Sequence, residues 1–506
     1  MVSDAVGLER ISRIVGYKLT KGNFALSSPN LPQRLAVLAE ANEANQLTLD
    51  TTPKQITSAK QAGDLYGYGS PIHMIARILF PKSGEGIGGI PVYIYPQAEP
   101  GGASAKVIEI TPTGTATGNG THYLKICGRD GMDGDFYAIN VEEGDTTADL
   151  TAKINDAVNN ILGCPCISTE DGYTAELTSK WKGKTANDIS VSVDTGDDEL
   201  GISYAINSTA SGAGVPSISA ALTAFGNNWN TIVLNSYGLE STILSALESF
   251  NGRPADGNTA PTGRFAATIM KPFVAVTGST ADDPSATTDA REDDVTIALA
   301  PAPLSEGLQF EASANMIVLL APTAQNNPHL DVSGQSYPDM PTPDSIGSMA
   351  EYNNRDAFVK KGCSTVDLSA GRYKVMDFVT TYHKTGENPP QFRYVRNLML
   401  DLNIYYGYYL LEQINVVDKA IAADSDIVSV QSVIKPKQWK QILFAYADDL
   451  ASRALIVDPE FMQDSIDVDL STTNPDRLET FFKYKRSGFA RVLSTTAEAG
   501  FNFGNL

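Results

Sequence analysis

Residues 65–79 read LYGYGSPIHMIARIL, and the order of the chain follows outward from this run. Its first two residues end a helix predicted over 56–66, and Gly67-Tyr68-Gly69-Ser70 is a turn. Pro71 then opens a second helix through Leu79, because a first-turn proline gives up an amide hydrogen that would be unpaired anyway. Ile72, Ile75, Ala76 and Leu79 recur at three- and four-residue steps, which marks one buried face. Upstream, residues 35–38 make a short apolar strand. Downstream, glycine and proline at 84–91 stop the helix, and Val92-Tyr93-Ile94-Tyr95 is a second strand. Strands and helices in alternation predict a mixed sheet covered by helices, an α/β class.

The same alternation resumes after Trp229. Residues 231–234 read as a strand, and 239–250 as a helix with Leu239, Ile243, Leu247 and Phe250 on one face. Residues 265–270 and 295–300 read as further strands, 277–294 as a solvated acidic loop, and 310–321 as an apolar helix stopped at Pro322. Between the two α/β parts, residues 103–212 change character. Runs at 104–110, 122–127, 136–141, 173–178 and 188–193 alternate like half-buried strands. One helix interrupts them after Gly144-Asp145-Thr146, where Thr146 and Asp149 have capping-box spacing. This βββαββ block predicts a compact inserted domain with its own core. In the last third, 372–382 is a strand, 391–423 and 436–456 are helices, and 466–470, 478–485 and 489–493 have strand length.

The resulting plan has an N-terminal arm at 1–20 and a core domain in two parts, 21–102 and 213–370. The inserted β-rich domain is 103–212, the C-terminal domain 371–483 and the C-terminal arm 484–506. The N-terminal arm carries Val6, Leu8, Ile11 and Ile14 among glycines, and the C-terminal one alternates Phe489, Arg491 and Leu493. Apolar, alternating ends of this kind suit strands that add to a sheet in another chain.

Composition narrows the function. The 506 residues carry 38 Lys+Arg against 59 Asp+Glu, a formal charge of −21, which argues against a phosphate-backbone binder. Four cysteines cannot build a disulfide scaffold. No apolar run is long enough to span a membrane, and the start has no secretory h-region, so a reducing cytoplasm, or an assembly built inside one, is expected. Gly84-Glu85-Gly86-Ile87-Gly88-Gly89 matches a dinucleotide fingerprint in letters only, since a strand rather than a helix follows. Gly183-Lys184-Thr185 lacks the first glycine of a phosphate loop and reads as a β-turn. His73, His122, His329 and His383 are scattered, and Cys164-Pro165-Cys166 is too pinched to chelate. The acidic turns 130–135 and 194–199 fit no calcium loop. The expectation is no catalytic residue, no metal and no cofactor. Lys435, Lys437 and Lys440 stand out because cations oppose the dipole in a helix's first turn, and they are the candidate contact to an external partner.

Several short motifs, in order, resemble one family. Leu65-Tyr66-Gly67-Tyr68-Gly69-Ser70 before His73-Met74, Gly144-Asp145-Thr146, and LTSKWKGKTAN at 177–187 resemble segments of the tail sheath proteins of Mu-like contractile phages. Phe310-Glu311-Ala312, Val332-Ser333-Gly334-Gln335 and Val379-Thr380-Thr381-Tyr382 follow in matching order. Ala186 replaces a family glycine, Ala300-Pro301 stands for Asn-Pro, and the 277–294 loop is unusually acidic. The resemblance implies a structural, non-enzymatic virion subunit, assembled in the host cytoplasm. Such subunits form hexameric rings stacked helically around a tail tube, exchange their arms between neighbours, and contract to drive the tube through the host envelope. The implied partners are further copies, the tube protein, and baseplate and terminator proteins, with no nucleic acid and no membrane insertion. It also implies a tube-facing C-terminal domain, and the insert, as a domain with its own core on short tethers, is expected to face outward. A bacterial contractile injection device is the nearest alternative. A doubly wound α/β enzyme is the other, and it would place its site at the carboxyl ends of strands 231–234 and 295–300.

Overall fold

The computed structural model describes residues 29–257, 259–387, 390–430 and 432–500. The expectations for Val6, Leu8, Ile11 and Ile14 lie outside these residues. The chain divides into two compact units. The larger comprises Asn30–Tyr406, Ala454–Val457 and the C-terminal segment from Lys485. The smaller comprises Gly407–Arg453 and Asp458–Tyr484.

A six-stranded sheet organises the larger unit. Its order is Ile297–Pro301, Val274–Ser279, Ile232–Asn235, Leu35–Glu40, Val92–Gln97 and Lys54–Ile56, all parallel except the last. Taken in sequence, the parallel strands are ordered 2-1-3-4-5, a doubly wound arrangement. Side chains alternate between two apolar layers. Leu35, Val37 and Ala39 pack with Ile72, Ile75, Leu79, Phe310 and Ile317, while Ala36 and Leu38 pack with Leu222, Phe225, Ile243 and Leu247. Both faces are therefore covered, as parallel sheets require.

The helices begin where local chemistry says they should. Pro71–Leu79 starts behind Ser70, whose hydroxyl accepts from the His73 amide at 3.1 Å. Thr147–Asn159 starts with the full capping box of Thr146 and Asp149. Other expectations are corrected. Residues 265–270 are not a strand; the sheet position belongs to Val274–Ser279, buried on both faces. The stretch 277–294 is accordingly not a solvated loop: its start is core strand, and Ser285 and Thr288 are buried. The helix Gln309–Asn326 runs one turn past Pro322, whose nitrogen cannot donate to the Val318 carbonyl. The long helices are shorter than expected, Val395–Asn415 and Pro436–Ser452.

The insert folds as two antiparallel sheets. One contains Ala105–Thr113, Cys166–Asp171, Thr174–Lys182 and Ser203–Ala210; the other contains Gly120–Ile126, Ala138–Val141 and Val191–Asp194. Its core is not its own, however. Ile126, Ile139, Leu150, Ile154, Leu177 and Trp181 belong to the same apolar cluster as the main sheet and the Gln309–Asn326 helix. Trp181 meets Phe310 edge-on with centroids 6.3 Å apart. Arg129, from the insert, pairs with Glu311 at 2.9 Å, and the Glu311 side chain is only 1% exposed. Removing one member of such a pair strands a buried charge, whereas removing both does not. Arg129→Met should therefore cost about 3 kcal/mol in urea unfolding. The double variant with Glu311→Met should recover most of that loss.

Candidate functional site

The motif residues are joints: Gly69 and Glu311 meet the insert, and the others fix contacts within the insert or within the rest of the larger unit. Gly67 and Gly69 hold positive φ angles of 91° and 80°. A Cβ on Gly69 would sit 2.1 Å from the Cys164 carbonyl oxygen, and one on Gly67 would collide with Asn42. The Gly69 amide donates to His73 Nδ1 at 3.1 Å. Burial holds the His73 imidazole down at about 4, so the ring is neutral and acts as an acceptor in this turn. In 177–187, Trp181 Nε1 donates to Thr185, and Asn187 exchanges two 2.8 Å bonds with the Gly212 backbone. Glu311 receives Arg129. Gly334 donates its amide to the Val375 carbonyl at 2.7 Å. Thr381 donates its hydroxyl to the Asp294 carboxylate at 2.9 Å and its amide to Ile297. Each of these residues determines where backbones meet.

The other candidates resolve into structural roles. Cys127, Cys164, Cys166 and Cys363 are all buried thiols, and burial pushes each of them up, away from thiolate character. His122 sits 2.8 Å from the Tyr204 hydroxyl. Among the described residues, no three His, Cys, Asp or Glu side chains are grouped to hold a metal, and no helix is long and apolar enough to cross a membrane. Gly183-Lys184-Thr185 turns through the Ala186 amide, which donates to the Gly183 carbonyl at 3.2 Å, and the turn continues as a short 3-10 helix, Lys184–Asp188.

The C-terminal segment is anchored to the larger unit before it becomes free of secondary structure. Ile456–Val457 pairs antiparallel with Lys485–Arg486. Arg486 makes a two-pronged ion pair with Asp401, at 2.7 and 2.6 Å. Arg396 donates to the Ser487 carbonyl at 2.6 Å and hydroxyl at 2.7 Å. Arg491 pairs with Asp331 and stacks on Tyr394 at 3.7 Å, with Phe489 on its other side at 5.0 Å. Residues 489–493 thus form no strand within this chain, and Arg491 does not share an outward face with Leu493. Val492 and Leu493 are 86% and 84% exposed.

The smaller unit carries the three lysines. Its core is Ile434, Trp439, Leu443, Ile466 and Val468, with Tyr408 and Phe482 against it. Lys435 donates its ammonium to the Asp426 carbonyl, the Lys437 amide donates to the Asp424 carboxylate at 3.1 Å, and the Lys440 ammonium lies 5.8 Å from the Phe444 ring. Asp424 supplies the negative charge that the helix N-terminus favours, which offsets the lysines beside it. The unit also contains a two-stranded sheet, Asp467–Leu470 with Leu478–Phe481, and no third strand joins either edge among the described residues.

Through most of its length the chain resembles one class, the phage tail sheath proteins. No protein-family model matches it. In particular, it is 24% identical over 434 residues to the Mu-like prophage FluMu tail sheath protein of Haemophilus influenzae, covering 84% of each chain. Among solved structures it aligns with the sheath tail protein of Desulfitobacterium hafniense, at a TM-score of 0.44 and 13% identity, over 93% of this chain and 100% of that one.

Asp331 is 2% exposed on its side chain, so Arg491→Ala should cost roughly 2–3 kcal/mol and release the tail. Limited trypsin digestion with mass spectrometry should show faster cleavage after Lys485 and Arg486 in this variant than in the parent.

Proposed function

We propose that this chain is a structural subunit of a contractile tail sheath, stacking as rings around a tail tube and shortening to push that tube through a cell envelope. The similarity to the FluMu sheath protein over 84% of the chain is the observation that carries this reading. Two features of the fold support it. The hairpin Asp467–Leu470 and Leu478–Phe481 presents open edges in a small unit, and open edges polymerise unless other strands close them. The C-terminal segment is fixed as far as Arg491 and leaves exposed apolar residues beyond it. Residues from Val492 onward, together with 1–20, are the strands we assign to neighbouring copies, with this hairpin as acceptor. Such exchange is heterologous and propagates as an open helix. In this reading the core is built of 21–102 and 213–370, the insert at 103–212 faces outward, and a unit within 371–483 faces the tube.

The energy of shortening lies in surfaces between copies. A bias of about 5 kcal/mol per subunit gives a population ratio of roughly 10⁴. About 200 Å² of added apolar burial would supply it, at about 25 cal/mol per Å².

Electron microscopy of the purified chain at rising concentration should show tubes or stacked rings, and deletion of residues 492–506 should leave single subunits. A parent protein that stays monomeric at high concentration defeats the proposal. Reversing Lys435, Lys437 and Lys440 to glutamate should leave empty polymers intact while abolishing their co-sedimentation with tail tubes; undiminished tube binding would remove those lysines from the contact.

A further inference from the structure

A cavity of about 620 Å³ opens at the carboxyl ends of the Leu35–Glu40, Ile232–Asn235 and Val274–Ser279 strands. It lies where the strand order reverses, between Leu35–Glu40 and Ile232–Asn235, with the insert's Lys184–Asp188 turn forming the facing wall. Doubly wound sheets hold their ligands in this crevice.

The lining has one outstanding deficit. Glu40 is 1% exposed, and although its Oε2 accepts from the Thr185 hydroxyl at 3.1 Å, its Oε1 has no protein partner. The Ser236 and Tyr237 hydroxyls, which line the same cavity and are 1% and 7% exposed by residue, have no partner beyond each other. A buried carboxylate oxygen in this state is costly, and with the two hydroxyls on the same cavity wall it defines a recognition surface. Among the described residues, its ionisable lining offers carboxyl groups and no free cation. Lys184 is spent on Glu240 at 2.9 Å, Asp188 accepts from Gln309 at 2.8 Å, and Glu40 keeps no counter-ion. That balance excludes a phosphate. The scarcity of grouped ligands among the described residues excludes a metal cage.

We propose that this cavity binds an organic cation, an ammonium or guanidinium group that pairs with Glu40 and donates to the Ser236 and Tyr237 oxygens. The cation comes either from a free amine or from a lysine or arginine of a second copy. The second source rests on the polymer described above; the first does not.

Protonation gives the proposal a signature. Burial pushes Glu40 up to about 8, with the Glu99 carboxylate adding to the effect, so in the empty cavity it is mostly neutral at pH 7. The other titratable groups around it are Asp188, which burial pushes up to about 6, the Lys184–Glu240 pair, Lys182 beside Glu99, and Tyr237, which stays neutral. A cation pairs only with the ionised carboxylate. Binding at pH 7 must therefore release close to one proton, and affinity must rise with pH until about 8, by up to tenfold per unit.

Calorimetric titration of the full chain with spermidine or methylguanidinium, at pH 6.5 to 8.5 in two buffers of different ionisation heat, tests this. Saturable binding with that proton release, lost in Glu40→Gln and weakened several-fold in Tyr237→Phe, establishes a free amine as the source. Glu40→Gln replaces a neutral acid by its isostere and should melt no lower than the parent; Tyr237→Phe keeps the test available if it does. If neither probe binds the parent but Glu40→Gln abolishes polymer formation without lowering the melting temperature, the cation belongs to a second copy. Probe binding unchanged in Glu40→Gln overturns the proposal. So does the absence of probe binding together with no difference in polymer formation between parent and variant.

Discussion

A carboxylate buried as deeply as Glu311 is sustained only by a cation that comes to it, and the cation is Arg129, 182 residues earlier in sequence and part of the insert. Desolvating either alone costs several kcal/mol, so the pair forms only when the insert closes onto the Gln309–Asn326 helix. The surrounding contacts share this condition. Trp181 against Phe310, Asp188 on Gln309 and the Cys164 carbonyl over Gly69 are all made across the same seam. The insert and the sheet thus fold as one cooperative body, and the short motifs scattered along the chain are the places where that body is fastened.

This explains why the motifs carry a family resemblance without carrying chemistry. A glycine that must admit a carbonyl oxygen, a threonine that caps a helix and a glutamate that receives an arginine are each constrained by geometry at one point. A subunit that works by holding its shape depends on such points more than on any reactive group.

Much of this was legible from local signals. The helices at Pro71–Leu79 and Thr147–Asn159 announce themselves through a serine or threonine cap and a regular apolar face, which need only neighbouring residues. The Val274–Ser279 strand was not legible, because a strand buried on both faces shows no alternation and its Thr-Gly-Ser end has the composition of a loop. Ser203–Ala210 was missed for the opposite reason: most of its residues are exposed, and it has little apolar pattern to show. The anchoring of the C-terminal segment depends on charge pairs 85 and 160 residues apart in sequence, Arg486 with Asp401 and Arg491 with Asp331. Nothing local distinguishes those arginines from solvated ones. Glu40 likewise reads as the polar end of a strand until the turn from the insert closes over it.

The rooting of the C-terminal segment has a mechanical consequence. Three arginines hold residues 486–491 through separate partners: Asp401, the Ser487 backbone and Asp331. Tension applied beyond Leu493 meets Arg491 first and the bonds at Ser487 and Arg486 behind it, so the outermost pair guards the others. Behind these anchors, Val395, Leu398 and Leu402 of the same helix as Arg396 and Asp401 lie in the main apolar cluster, so the force passes into the packed interior.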